Sequence, residues 1–205
     1  FQRLLDIGNS YQTLMVDKHY PEIRIDTLGF LAERYAPSGP FRHIEFDLND
    51  SYFPDRWPVF KEAERYDLIL FLEVIEHLYT SPRQVLRFLK TALNPGGFIL
   101  IGTPNAAALY KRFSLLTGRN PYEPIREERR NPGHFREYTL DELCAFAVQA
   151  GFEVRWWEIA NPFVPGSPAE RRLNTLSQYL PQRFREAITV LIRAVQAEEE
   201  VGPTT

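Results

Sequence analysis

The sequence predicts an α/β fold, a mostly parallel sheet flanked by helices, within a single domain spanning all 205 residues. Three observations carry that expectation. Apolar runs rich in β-branched residues alternate with helical periodicity along the first hundred residues, the pattern of parallel strands joined by crossover helices. Proline and glycine stand where a helix should begin and end, as in Ser81-Pro82 and Pro95-Gly96-Gly97. Acidic residues recur near the ends of successive strands, at the rim where open α/β sheets bind ligands.

The elements follow in order. Arg3–Ile7, Ile23–Thr27, His43–Leu48, Tyr66–Leu72 and Gly97–Gly102 read as five strands. Between the last two, Val85, Leu86, Leu89 and Leu93 share one helical face. After the fifth strand, Thr103-Pro104-Asn105 leads into a helix reaching Thr117, then a Pro- and Arg-rich stretch to Gly133 long enough to serve as a lid. Thr139-Leu140-Asp141-Glu142 is a capping-box start for a helix that stops at Gly151, and Phe152–Ile159 reads as a strand. A polar helical segment reaches Gln182, and Ala187–Val195 alternates well enough to be a last strand, with a helix as the competing reading. The change of pattern after the fifth strand divides the single domain into a regular α/β part, 1–105, and a second part, 106–205, that holds the less regular segments and the final strands.

A formal net charge of −3 argues against a general nucleic-acid binder. Arg126 to Arg130 mixes signs and reads first as a solvated loop or helix face, with substrate gating as the alternative. The single cysteine, Cys144, sits among apolar neighbours as a buried thiol, which suits a reducing compartment and makes the cytoplasm the default location. No run approaches the ~18 apolar residues of a membrane span. An Arg-containing stretch, Arg171 to Arg193, leaves contact with a membrane surface open beside the simpler solvated reading. The chain starts abruptly at Phe1, two residues before its first strand, which is compatible with a truncated N-terminus.

Leu4-Leu5-Asp6-Ile7-Gly8-Asn9-Ser10 places an acid near the end of an apolar strand, then a glycine turn into a helix, an arrangement that aims backbone N–H groups at a ligand. Asp26 follows Asp6 by 20 residues, the spacing of a ribose-binding carboxylate, although an ordinary strand-end aspartate reads equally well. Asp47 is the third acid of the series. Glu73, Glu76 and His77 follow the fourth strand at i, i+3, i+4 spacing, which would put them on one face of a helix. His77 could be a general base at neutral pH, or Glu76 and His77 could brace the loop. His134, Arg136 and Tyr138 stand on a loop before the next helix, suited to substrate contact or to a surface hydrogen-bonding pair. Trp156 and Trp157, adjacent on a strand, should face opposite sides. Tyr110, Phe113, Tyr122 and Phe163 read as ordinary core or lid packing before they read as a pocket.

Leu5-Asp6-Ile7-Gly8, Tyr66-Asp67-Leu68-Ile69-Leu70, Glu73-Val74-Ile75-Glu76-His77-Leu78 and Leu93-Asn94-Pro95-Gly96-Gly97-Phe98 together resemble, in order, the motifs of class I S-adenosylmethionine-dependent methyltransferases. The likeness is greatest to the small-molecule branch of ubiquinone-type O-methyltransferases, and it extends through Gly133–Thr139 to Ala150-Gly151-Phe152. The resemblance implies a Rossmann-like seven-stranded, mostly parallel sheet in the order 3-2-1-4-5-7-6. It implies S-adenosylmethionine as cofactor and methyl transfer to a small-molecule, lipid-linked or sugar-linked acceptor, a glycolipid type included. Carried onto this chain, it makes Asp6, Gly8 and Asn9 the turn around the amino-acid end of the cofactor, and Asp26 a candidate for the ribose hydroxyls. Asp47 and Leu48 would meet the adenine, Glu73 would stand beside the cofactor, and Glu76, His77 and His134 would be the catalytic candidates. It permits a divalent ion at Glu73, Glu76 and His77, but no metal is expected. Asn9, Ser10 and Gln12 stand where small residues are usual in that turn, which motivates a second hypothesis, a binding or scaffold domain with impaired catalysis. A nicotinamide-dependent oxidoreductase is disfavoured because the turn lacks a full G-x-G-x-x-G.

Overall fold

The computed structural model describes residues 1–128, 132–162 and 168–195. Seven strands form one sheet: β1 (Arg3–Ile7), β2 (Arg24–Leu28), β3 (His43–Ile44), β4 (Tyr66–Leu72), β5 (Leu93–Pro104), β6 (Phe152–Ala160) and β7 (Ala187–Ala194). Their order is β3-β2-β1-β4-β5-β7-β6, as expected. The first five strands run parallel, and β7 pairs antiparallel with both β5 and β6.

Alternation along the central strands decides which face each helix covers. Leu5 and Ile7 of β1 join Ile69 and Phe71 of β4 in the main core, packed against α2 (Pro82–Thr91) and α4 (Leu140–Gln149). Leu4, Ile25 and Leu70 face the other side, where Val16 of α1 (Tyr11–His19) reaches them. Helix α2 starts with proline in its first turn, and α4 is capped by Thr139, whose hydroxyl accepts from the Glu142 N–H. The shorter α3 (Leu109–Leu116) and α5 (Pro168–Ser177) belong to the second half of the chain.

Several boundaries differ from expectation for local reasons. Strand β3 holds only two residues, because the chain leaves the sheet after Ile44 and enters a short turn at Leu48–Tyr52. Strand β5 begins at Leu93 and carries Pro95-Gly96-Gly97 within it; a β-carbon on Gly97 would lie 3.0 Å from the Asn94 carbonyl oxygen and 3.2 Å from that of Tyr66. Trp156 and Trp157 are both exposed, at 47% and 42%, rather than divided between core and solvent. They lie on the edge strand β6 beside a register shift between Val154 and Trp156, which breaks the alternation. Cys144 is half-buried, its thiol pushed up by burial. Phe163 lies outside the described residues. Among the described residues no helix is long and apolar enough to cross a membrane.

Candidate active site

A cavity of about 650 Å³ opens at the C-terminal ends of the parallel strands, bounded by the segments after β1, β2, β3 and β4. Its first wall is the turn after β1. Gly8 adopts φ +64 there and donates its N–H to the Leu28 carbonyl at 2.8 Å. That left-handed conformation suits glycine, and a β-carbon would also press to 3.3 Å from Val74 Cγ2. Asp6 does not line the cavity. Its buried carboxylate accepts from the Thr13 hydroxyl, and Thr13 Oγ1 in turn accepts the Ser10 N–H at 2.8 Å, so Asp6 fixes the turn from beneath. Burial pushes the Asp6 carboxyl up to about 6, despite opposing hydrogen bonds from Thr13 and Ile7. Asn9 reaches the cavity wall, but its side chain is spent on Ala32, accepting from its N–H and donating to its carbonyl, both at 2.9 Å.

The expectation for Asp26 is corrected. Strand β2 continues to Leu28, so Asp26 lies inside it and is fully buried away from the cavity. Its carboxylate pairs with Arg3 at 2.9 Å and accepts from the Arg42 N–H at 2.9 Å and the Tyr66 hydroxyl at 3.1 Å. Burial alone would raise its carboxyl, but these partners hold it below the usual range. Gly29 and Phe30 occupy the strand end instead. Of the three acids expected to converge on the rim, only Asp47 lines the cavity.

Asp47 begins the turn Leu48–Tyr52, where its Oδ1 accepts from the Asn49 N–H at 3.0 Å. Asn49 in turn accepts from the N–H groups of Tyr79 and Thr80, tying this wall to the segment after β4. Phe46 and Leu48 supply apolar surface between these polar groups.

The segment after β4 is a single tight turn, Ile75–His77, rather than a helix carrying three aligned side chains. Glu73 stands before it at φ +54, the one non-glycine among the described residues with positive φ. Its N–H donates to the Gly102 carbonyl at 2.9 Å, and its side chain lines the cavity with the carboxyl raised by burial. Such a backbone conformation is costly for a side-chain-bearing residue and concentrates at functional sites. Glu76 points the other way, into the core, at 0% exposure. Its Oε2 accepts from Thr103 Oγ1 at 2.9 Å, its Oε1 has no hydrogen-bond partner, and burial with the nearby Glu73 charge pushes its carboxyl up. Its backbone carbonyl accepts from Phe135 N–H at 2.8 Å.

His77 lines the cavity beside Glu73, with Nδ1 2.8 Å from the Gly133 carbonyl oxygen. Burial holds the imidazole below its ordinary value, which keeps it neutral. Its ring stacks edge-on against His134 at 4.9 Å. His134 is bound by Glu137 at 3.0 Å and Glu123 at 3.1 Å and does not line this cavity. One atom each from Glu76, His77 and His134 lies within 4.8 Å of the others, close enough for a metal ion, but both His134 nitrogens already face carboxylates. Arg126, Glu127 and Glu128 are exposed, as a solvated loop would be, and also line the cavity mouth, where Arg126 pairs with Glu123; Arg129 and Arg130 lie outside the described residues.

A family model described as a methyltransferase domain matches residues 9–155, more than two thirds of the chain. The chain belongs to the methyltransferase domain family. The class I superfamily indicated by the motifs is thus the right one, and this methyltransferase domain has curated relatives of the same kind. A probable S-adenosylmethionine-dependent methyltransferase of Mycolicibacterium smegmatis is 34% identical over 88 residues, covering 43% of this chain and 29% of that protein. One from Mycobacterium tuberculosis is 33% identical over 86 residues, covering 42% and 26%. The matched region therefore spans less than a third of either relative. A chain from the Haloferax volcanii complex containing the Trm112 methyltransferase activator shares the fold at TM-score 0.62 and 13% identity, over 95% of this chain and 83% of that one. N-methyltransferase NodS from Bradyrhizobium japonicum, solved with S-adenosylhomocysteine, does so at TM-score 0.53 and 14% identity, over 95% and 79%.

Proposed function

We propose that this domain transfers a methyl group from S-adenosylmethionine to a small-molecule, lipid-linked or sugar-linked acceptor, as a single unit with a cofactor half at 1–105 and a substrate-shaping half at 106–205. The observation that carries this reading is the cavity of about 650 Å³ between the Gly8 turn, Asp47 and Glu73, in the size range of small-molecule sites. The cofactor supplies an activated methyl on a sulfonium, so the protein's task is alignment and electrostatics more than covalent help. Asp47 suits the adenine amino group as an acceptor, with Leu48 and Phe46 against the ring. Gly8 permits backbone approach to the amino-acid end, and the Glu73 carboxylate favours positive charge in its neighbourhood. Asp6 and Asn9 act as positioning residues, through Thr13 and Ala32 respectively. Neutral His77 stands at the same edge and is able to accept a proton from an acceptor hydroxyl, while Glu76 and His134 hold it and the 132–138 segment in place.

Gln12, whose bulk raised the prospect of a blocked turn, is exposed on α1 and outside the cavity lining, which favours a working site over an impaired scaffold. Calorimetric titration with S-adenosylhomocysteine and with nicotinamide dinucleotides tests the proposal. Binding of the former alone is expected; binding of a dinucleotide alone, or of neither, would overturn it.

A further inference from the structure

A second cavity, about 250 Å³, adjoins the first across the His77–His134 ring pair and lies under α3. Its walls are chemically unusual. Lys111, which looks in sequence like an ordinary helix-surface lysine, is only 1% exposed. Its ammonium pairs with Glu137 and lies 5.6 Å from the ring centre of Tyr110 and 5.8 Å from that of Tyr122. An aromatic and carboxylate surround of this kind is how proteins hold ammonium groups, and here one such group is already held by the chain itself.

The charge around the cavity exceeds what Lys111 balances. Glu123, Glu137 and Glu186 all line it. Glu137 is matched by Lys111 and by His134, and Glu123 by His134 and Arg126. The Glu186 carboxylate accepts one hydrogen bond, from the Asn174 amide at 3.2 Å, and makes no ion pair with any described residue. Just behind the His134 wall lies the fully buried Glu76 side chain, whose Oε1 makes no hydrogen bond and stands 3.8 Å from His77 Nε2, and whose carboxyl is pushed up by burial. Anions entering this space would meet an excess of carboxylates, with the one buried lysine already neutralised. A cation would find the Glu186 carboxyl group, which makes no ion pair with a described residue although Lys111 is near enough to act on its charge, beside the Tyr110 and Tyr122 rings that Lys111 already faces.

We propose that this second cavity binds an ammonium group of the methyl acceptor, which identifies the acceptor as an amine-bearing molecule. The inference rests on the methyltransferase reading for the word acceptor, but the binding itself is measured separately. The probes are n-butylammonium chloride, tetramethylammonium chloride and sodium butyrate, titrated by NMR into the whole chain with and without saturating S-adenosylhomocysteine. Both ammonium probes are expected to shift resonances of Tyr110, Tyr122 and Glu137, and n-butylammonium to bind on the order of tenfold tighter than butyrate. Glu186→Gln keeps an acceptor for Asn174 and is expected to weaken ammonium binding by about tenfold, the worth of one charge-assisted hydrogen bond. Tyr122→Leu, which removes one ring and no charge, should weaken it independently. Tighter binding of butyrate would make this an anion site at Lys111 and overturn the proposal, as would ammonium affinity unchanged in both variants. Loss of S-adenosylhomocysteine binding with ammonium binding intact would strike the cofactor reading instead.

Discussion

Asp6→Asn separates two roles for the acid in the turn after β1, as a ligand of the cofactor or as a support under the glycine. Burial raises its carboxyl from 3.8 to about 6, while in the unfolded chain it ionises at its ordinary value. Between those two values the folded protein holds a proton that the unfolded chain has released. Folded molecules bind more protons there, so stability falls as pH rises through the window and the loss is complete above it. At 1.36 kcal/mol per unit, the cost of ionising Asp6 in place is ~3 kcal/mol at neutral pH. Asparagine cannot ionise, and its amide oxygen can still accept from the Thr13 hydroxyl. Urea denaturation of both proteins from about pH 4 to about pH 8 should give curves that nearly meet at the acid end and separate by ~3 kcal/mol in favour of the variant at the alkaline end. Taking the difference between the proteins cancels Glu73, Glu76 and the other groups that titrate alike in both. A difference that stays flat with pH would refute the burial argument. In a folded Asp6→Asn protein, a tenfold loss of S-adenosylhomocysteine affinity would refute the supporting role and make the carboxylate a ligand.

The other predictions concern the cavity and what surrounds it. Asp47→Ala should weaken S-adenosylhomocysteine by about 1–3 kcal/mol in calorimetry, the cost of a buried donor losing its acceptor; unchanged affinity would remove Asp47 from the site. Gly8→Ala should lower stability by roughly 1–2 kcal/mol, because alanine at φ +64 is strained, and should weaken the same ligand; a thermal melt matching the parent would contradict the strain. Asp26→Ala should destabilise by ~3 kcal/mol or more, leaving Arg3 and Tyr66 without their partner, while molecules that remain folded bind S-adenosylhomocysteine normally; selective loss of binding would restore the ribose role. His77→Ala should cost about 1 kcal/mol and speed amide exchange in 133–137, since Nδ1 no longer holds the Gly133 carbonyl. A stable variant that binds cofactor normally but has lost methyl transfer would instead make His77 the base.

Strand order was legible only through the family resemblance carried by motifs such as Leu5–Gly8 and Leu93–Phe98, and the position of the cavity through the rule that open α/β sheets bind ligands beyond the C-terminal ends of their strands. Side-chain direction was less legible, because it turns on one-residue boundaries. Asp26 looked like a strand-end acid, but β2 runs two residues further and turns the carboxylate into a buried anchor for Arg3, Arg42 and Tyr66. Glu73, Glu76 and His77 had the spacing of a helix face. The positive φ at Glu73 and the tight turn after it send Glu73 to the cavity and Glu76 to Thr103 in the core. Lys111 was missed altogether, since a lysine between aromatic and basic neighbours on a short helix gives no local sign of burial. Its partner, Glu137, is 26 residues away and meets it only in the folded chain.

The place of β7 in the sheet bears on how the chain can assemble during synthesis. Strand β6 pairs with β7 and not with β5, although it is made earlier. Until Ala187–Ala194 has emerged, β5 presents an open edge and β6 has nowhere to dock. Ile188, Val190 and Ile192, all fully buried, must then enter between two strands already waiting. The parallel ladder of β1 to β5 can form first, but the seven-stranded sheet closes only when β7, the last of these seven strands to be made, has entered between β5 and β6, and until then an unpaired edge is exposed.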